Sequence, residues 1–167
     1  TFSLNKTSSW IITSLSEHDY IYDSSVVPAK TDLYGIPNAD TKPYRISSNS
    51  LEEDSSDGKL IEFPLLVTSF LGKKIPAGGG FYLRTLPTKI IKNAIKKYEK
   101  QKIPATFYIH SWELTPEYMP RIELPVKEKF VTYHNINKAY SRMSELLKQF
   151  EFTSFSNYIS QGINFSN

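Results

Sequence analysis

The 167-residue chain contains no cysteine. That excludes a disulfide framework, a thiol nucleophile, a zinc knuckle and an iron–sulfur site, and leaves the compartment open. Histidine is scarce, with three in all. No two of them have metal-ligand spacing and no carboxylate cluster accompanies them, so the chain read alone holds no complete metal site. Its seven glycines form neither G-x-G-x-x-G nor a P-loop, and H-E-x-x-H is missing as well. No apolar run approaches the ~20 residues needed to span a bilayer, so the expectation is a soluble chain without a membrane span. Charge of one sign is also lacking. Lys plus Arg number 20 against 17 Asp plus Glu, a net charge of +3 that points to neither nucleic acid nor membrane. The chain opens Thr1-Phe2-Ser3-Leu4, with no initiator Met and no charged-then-apolar leader. The expectation from this opening is a processed product or a piece of a longer protein.

Ordinary globular composition is what remains: 40% hydrophobic and 22% charged residues, in a length that suits one domain. Such a chain can bury ~70% of its unfolded surface and needs no covalent staple. The segment Ser47 to Lys59, SSNSLEEDSSDGK, is polar and acidic with Leu51 as its single apolar residue, and reads as a mobile surface loop.

Periodicity predicts the elements. A first helix runs from about Asn5 or Thr7 to His18, with Trp10, Ile11, Leu15 and His18 near helical spacing. Tyr20-Ile21-Tyr22 reads as a strand, and Ser24 to Arg45, with Pro28, Gly35, Pro37 and Pro43, as a long ordered loop. Leu60 to Val67 is a strand in which Pro64 implies an edge or a bulge. After Gly78-Gly79-Gly80, Pro87 opens a helix with Ile90, Ile91, Ala94, Ile95 and Tyr98 on its inner stripe. Lysines crowd its other side, which reads as a solvated face, because the only nearby aromatic, Tyr98, belongs to the stripe and cannot stack a base. Ala105 to Ile109 has the continuous apolar, β-branched character of a buried parallel strand. An irregular stretch with Pro116, Pro120 and Pro125 follows. A last helix spans about Ile136 to Phe150, with Ile136, Ala139, Tyr140, Met143, Leu146, Leu147 and Phe150 inward, and the tail with Phe152, Phe155 and Tyr158 has room for one more short element. Strands alternating with helices predict an α/β fold with a largely parallel sheet, either open or part of a (β/α) barrel.

His110 stands at the carboxyl end of the best strand, where such folds place catalytic groups, and an imidazole with an ordinary pKa near ~6.5 suits proton transfer. A structural histidine is the competing reading. Asp23, directly after the Tyr20–Tyr22 strand, is the carboxylate best placed to share that strand-end face, unless it only caps a turn. Three consecutive glycines read as a tight turn or a close backbone approach beside a helix start, with unusual backbone angles, or as a place where backbone amides approach a polar ligand. Trp112 and Glu113 either shape a pocket rim or close the loop. His18 and His134 read as helix-end residues, and the sequons at Asn5 and Asn164 are short enough to be chance.

Five short motifs stand in a telling order: Tyr22-Asp23-Ser24-Ser25-Val26-Val27-Pro28; Asp32-Leu33-Tyr34-Gly35-Ile36-Pro37; Pro43-Tyr44-Arg45-Ile46; Gly78-Gly79-Gly80-Phe81-Tyr82-Leu83-Arg84; and Phe107-Tyr108-Ile109-His110-Ser111-Trp112-Glu113-Leu114. From about Thr1 to Phe152 the chain resembles the C-terminal half of NodB-like polysaccharide deacetylases, in the subgroup with an extended C-terminal region linked to exopolysaccharide export. That resemblance implies the C-terminal portion of a distorted (β/α) barrel, in an enzyme that hydrolyses N-acetyl groups on amino sugars. It implies a divalent metal, zinc by preference, in the intact enzyme, and motifs for metal and base that lie upstream of the matched region. This chain alone would then bind no metal and be inactive.

The resemblance makes His110 the acid that protonates the departing amine and puts Asp23 at a carboxylate motif near it. The subgroup has proline after this histidine, where Ser111 stands here. Tyr34, Gly78, Gly79, Gly80, Arg84 and Trp112 are the substrate-facing residues expected, since aromatic rings and Arg suit saccharide faces and hydroxyls. A non-catalytic carbohydrate-binding or assembly module would line its groove with the same residues. The expected partners are an N-acetylated polysaccharide and, through uncovered sheet edges, a second copy of the chain.

Overall fold

The computed structural model describes residues 2, 4–31 and 34–162. Asp32 and Leu33 of the second motif and the sequon at Asn164 lie outside them. A 3-10 turn at Lys6–Ser8 leads into α1 (Trp10–Glu17). Asn5 caps the turn by accepting from the Thr7 amide at 2.9 Å, a structural use for the first residue of the other sequon. The face that α1 buries is centred on Ile12, and Trp10 stands out at 66% exposure. The helical period is therefore as predicted, but rotated.

Three short strands follow: β1 (Tyr22–Asp23), β2 (Tyr44–Ile46) and β3 (Leu60–Glu62). They form one sheet in the order β1-β3-β2, with β1 parallel and β2 antiparallel to β3. The predicted strand from Leu60 to Val67 is broken where Pro64, lacking an N–H, interrupts the ladder. Leu65 then bridges Thr106 in parallel, and β4 (Val67–Phe70) turns back on β5 (Lys73–Pro76) as an antiparallel hairpin. Leu71 and Gly72 join these strands with positive φ at both positions, 49° and 75°, the signature of a primed hairpin turn whose twist matches that of the strands.

The architecture is thus mixed α/β, and the expectation of a largely parallel sheet is corrected. Two of the three strand pairs are antiparallel, because β2 returns along β3 and a two-residue turn reverses β4. No closed barrel forms among the described residues. Ala105 to Ile109 runs as an extended segment held by two parallel bridges, Leu65 to Thr106 and Gly79 to Tyr108. Phe107 and Ile109 pair with no strand on the other side among the described residues.

The helices that follow are α2 (Gly80–Thr85), α3 (Thr88–Lys100), α4 (Ser111–Leu114), α5 (Val126–Tyr133), α6 (Ala139–Gln149) and α7 (Phe155–Ser160). α3 buries Ile91, Ala94, Ile95 and Tyr98 as its spacing predicts. With Leu66, Ala77, Leu83, Ile103, Leu146 and Phe150 they form the larger core, where full burial of a Leu or Ile contributes about 1.5–3 kcal/mol. On α6, Leu146 is buried while Tyr140 and Leu147 face out. α5 lies in the stretch read as irregular. Pro125 caps it, but Val126, Phe130 and Val131 are exposed, so it has no buried stripe to reveal it.

A second core joins Leu4, Ile12, Val26, Ile36, Ala39, Tyr44, Ile46, Leu51 and Leu60. Leu51 pins the acidic segment to this core, and the Tyr44 hydroxyl donates to the Leu51 carbonyl at 2.6 Å. Asp54 receives Arg45 through both its backbone N–H and its guanidinium. The segment read as a mobile loop is stitched to β2. No helix among the described residues is long and apolar enough to cross a membrane.

Candidate functional site

A pocket of about 240 Å³ opens where β1, the bridge at Leu65 and the Ala105–Ile109 segment come together. Ser24, Ser25 and Val27 form one wall, Tyr34 and Tyr82 another, and Gly79, Tyr108 and His110 the third. Tyr108 and His110 project to the same side because residues two apart on an extended chain do so. The Tyr108 hydroxyl lies 3.2 Å from His110 Nδ1, and the Trp112 ring stacks on the imidazole at 5.2 Å and 19°. A phenol can donate to a bare Nδ1 or accept from a protonated one, so either state of the ring is accommodated and Nε2 is left for a ligand. Tyr34 hydrogen-bonds Tyr82, and burial pushes its phenol above the ordinary value, partly offset by that bond.

His110 itself is exposed, but its backbone is anchored. Its N–H donates to Glu113 Oε2 at 3.0 Å, and Glu113 Oε1 accepts from Arg84 Nε at 2.9 Å. Arg84 and Glu113 are both 1% exposed. The other guanidinium nitrogens of Arg84 donate to the carbonyls of His134 at 2.6 Å and Val131 at 3.0 Å, closing the C-terminal end of α5, where helix carbonyls lack partners. Arg84 was expected to face substrate. Instead it is an internal residue whose donors are occupied by protein acceptors.

Of the readings of the glycine run, close backbone approach holds and unusual backbone angles do not. None of Gly78, Gly79 and Gly80 has positive φ, so unusual backbone angles are not the reason for them. Close approach is: a Cβ on Gly78 would overlap the Thr106 carbonyl, and one on Gly80 would overlap the Glu113 carboxylate. Gly79 alone of the three lines the pocket, with only Tyr82 in ordinary contact distance of a Cβ.

Asp23 and His110 are not brought into one cavity. Asp23 is 8% exposed and contributes to a separate depression with His18, Asp19, Tyr20 and Phe155. Its partner is Glu62, its register neighbour across β1 and β3. Glu62 is fully buried and accepts the amides of Ser25 and Val26 at 3.0 and 2.8 Å. Burial first, and then the Asp23 charge, push its carboxyl well above the usual range. Asp23 Oδ2 and Glu62 Oε2 are buried without a hydrogen-bond partner, in a setting that favours the protonated form of Glu62.

Sequence reasoning missed Tyr82, Tyr108 and the two serines at the pocket, as well as Glu62. Tyr108 was legible from its two-residue spacing to His110, and Glu62 from being the only acid within an apolar strand. Among the described residues no three His, Asp or Glu side chains stand together as metal ligands.

No curated protein and no solved structure matches the chain. A family model does match, over residues 24–160, a range that takes in Glu62, the His110 turn and the pocket-lining residues other than Phe2. By that match the chain belongs to the family described as a domain of unknown function, DUF3473.

Proposed function

We propose that this chain is the C-terminal portion of a carbohydrate N-deacetylase, in which His110 is the proton donor to the leaving amine. The observation that carries the reading is the His110 arrangement: a strand-end imidazole at a pocket mouth, with a phenol on Nδ1 and an indole against one face. In the protonated ring, Nδ1–H donates to the Tyr108 oxygen and Nε2–H points to substrate. As the C–N bond of the tetrahedral adduct breaks, the Nε2 proton passes to nitrogen, giving a free amine and acetate. Tyr34, Tyr82 and Trp112 offer ring faces and hydroxyls to a sugar. Water activation belongs, in this reading, to a part of the enzyme outside the 167 residues, as does closure of the barrel. The strand edge at Phe107 and Ile109 would take the neighbouring strand of that barrel or of a second copy.

The test is acetate release from an N-acetylated chitooligosaccharide by the longer polypeptide that carries this chain. His110→Ala should lower turnover ~10²–10⁴-fold, the usual contribution of a general acid. Unchanged turnover would overturn the assignment. Metal-dependent acetate release by the 167 residues alone would overturn the division of labour. The aromatic lining also suits a second reading, a non-catalytic saccharide-binding module, for which His110→Ala would leave binding nearly unchanged and no form would turn over.

A further inference from the structure

We infer that Arg84 and Glu113 are positioning residues for His110, a buried ion pair that fixes the backbone at the base of the imidazole; this inference rests on the reading of His110 as proton donor. Glu113 divides its two oxygens between separate duties. Oε1 lies 2.9 Å from both Nε and Nη2 of Arg84, and Oε2 takes the His110 amide at 3.0 Å. The Glu113 amide in turn donates to the His110 carbonyl at 3.0 Å. His110 is thus held at its N–H and its carbonyl by one residue three positions on, which sets the direction in which its Cβ leaves the chain.

The pair is held from outside the turn as well. Arg84 donates to carbonyls at the end of α5, and Asn135 Nδ2 donates to the Arg84 carbonyl at 3.3 Å. Gly80 presses on the Glu113 carboxylate with no room for a side chain. Arg142 reaches from α6 to the carbonyls of Leu83 and Leu86 at 2.7 and 3.0 Å, tying down the helix that carries Arg84. A side chain exposed to water is therefore mounted on backbone whose supports are dry. A short loop bearing only an exposed histidine would need none of these contacts, and misplacement of a reacting group by about 1 Å can cost about 10²-fold in rate.

Nuclear magnetic resonance on the 167-residue chain tests this without a variant. The His110 amide, bonded to a buried carboxylate, should be protected from hydrogen exchange although its side chain is in water. Exchange at the rate of an unstructured peptide would overturn the inference. Glu113→Gln and Gly80→Ala then attack the same contact from two sides. Each should collapse the ring-current shifts that Trp112 imposes on the His110 ring protons. In the longer polypeptide each should lower kcat about 10²-fold with KM within about threefold. Ring shifts and kcat both at wild-type values in a folded variant would overturn it. If the ring shifts collapse but no form of the longer polypeptide releases acetate, the positioning role stands and the deacetylase reading falls.

Discussion

Glu62, the last residue of β3, and Glu113, in α4, are both buried and both accept backbone amides, yet their electrostatic surroundings are opposite. Glu113 faces a guanidinium and has each oxygen engaged. Glu62 faces another acid, and one of its oxygens has no hydrogen-bond partner. The first arrangement compensates a charge, so it persists wherever the carboxylate is ionised. The second avoids a charge by keeping a proton, so it depends on pH. Each supports a different wall of the same pocket. Glu113 holds the His110 turn, and Glu62 holds the amides of Ser25 and Val26 beneath the serine wall.

The largest effect expected is from breaking the compensated pair. Arg84→Ala leaves Glu113 without its counter-charge in a dry site and uncaps α5, and should cost about 3–5 kcal/mol in a denaturant titration. A loss below about 1 kcal/mol would show the pair to be wet. Gly80→Ala comes next, at about 1–3 kcal/mol for a methyl forced onto a carboxylate. Gly79→Ala, which meets only the Tyr82 ring at 3.4 Å, is its control and should be near neutral.

For the acid pair the sign is reversed. The Glu62 carboxyl titrates higher in the folded chain than in the unfolded one. The stability it supports is therefore complete below the ordinary carboxylate range and falls as pH rises through its elevated folded value. Glu62→Gln keeps an oxygen for the Ser25 and Val26 amides and offers Asp23 an N–H. It should raise stability by about 1 kcal/mol or more at neutral pH and flatten the decline between acid and neutral solution. A variant less stable than wild type at neutral pH, with the slope retained, would contradict the raised Glu62 carboxyl. The smallest effect is reserved for an exposed pair. Arg45→Ala, which removes the ion pair to Asp54, should leave the unfolding midpoint unmoved at high salt, where screening erases such contacts.

Much of this was legible in the chain. The stripe from Ile91 to Tyr98 announced α3 because a helix packed on one side must repeat its apolar residues at that period. His110 announced itself by ending an apolar run. Less legible was anything decided by a partner distant in sequence. Arg84 reads as a substrate-facing cation until Glu113, 29 residues away, is folded against it. Asp23 reads as a companion for His110 until the β1–β3 register hands it to Glu62. The glycines read as a turn or a close approach without naming what approaches, because sequence shows that a side chain is missing but not what occupies its place. α5 was hidden by three prolines and by apolar residues that face out.

The pocket, rather than the acid pair, is the claimed site, and chemical-shift mapping with an N-acetylated chitooligosaccharide on the 167-residue chain addresses that claim directly. Sugar bound in the pocket should perturb the amides of Ser25, Gly79, Tyr108 and His110 and shift the Trp112 indole, with Asp23 and its depression beside Phe155 silent. Shifts confined to Tyr22, Asp23 and Phe155, or none at saturating sugar, would contradict it.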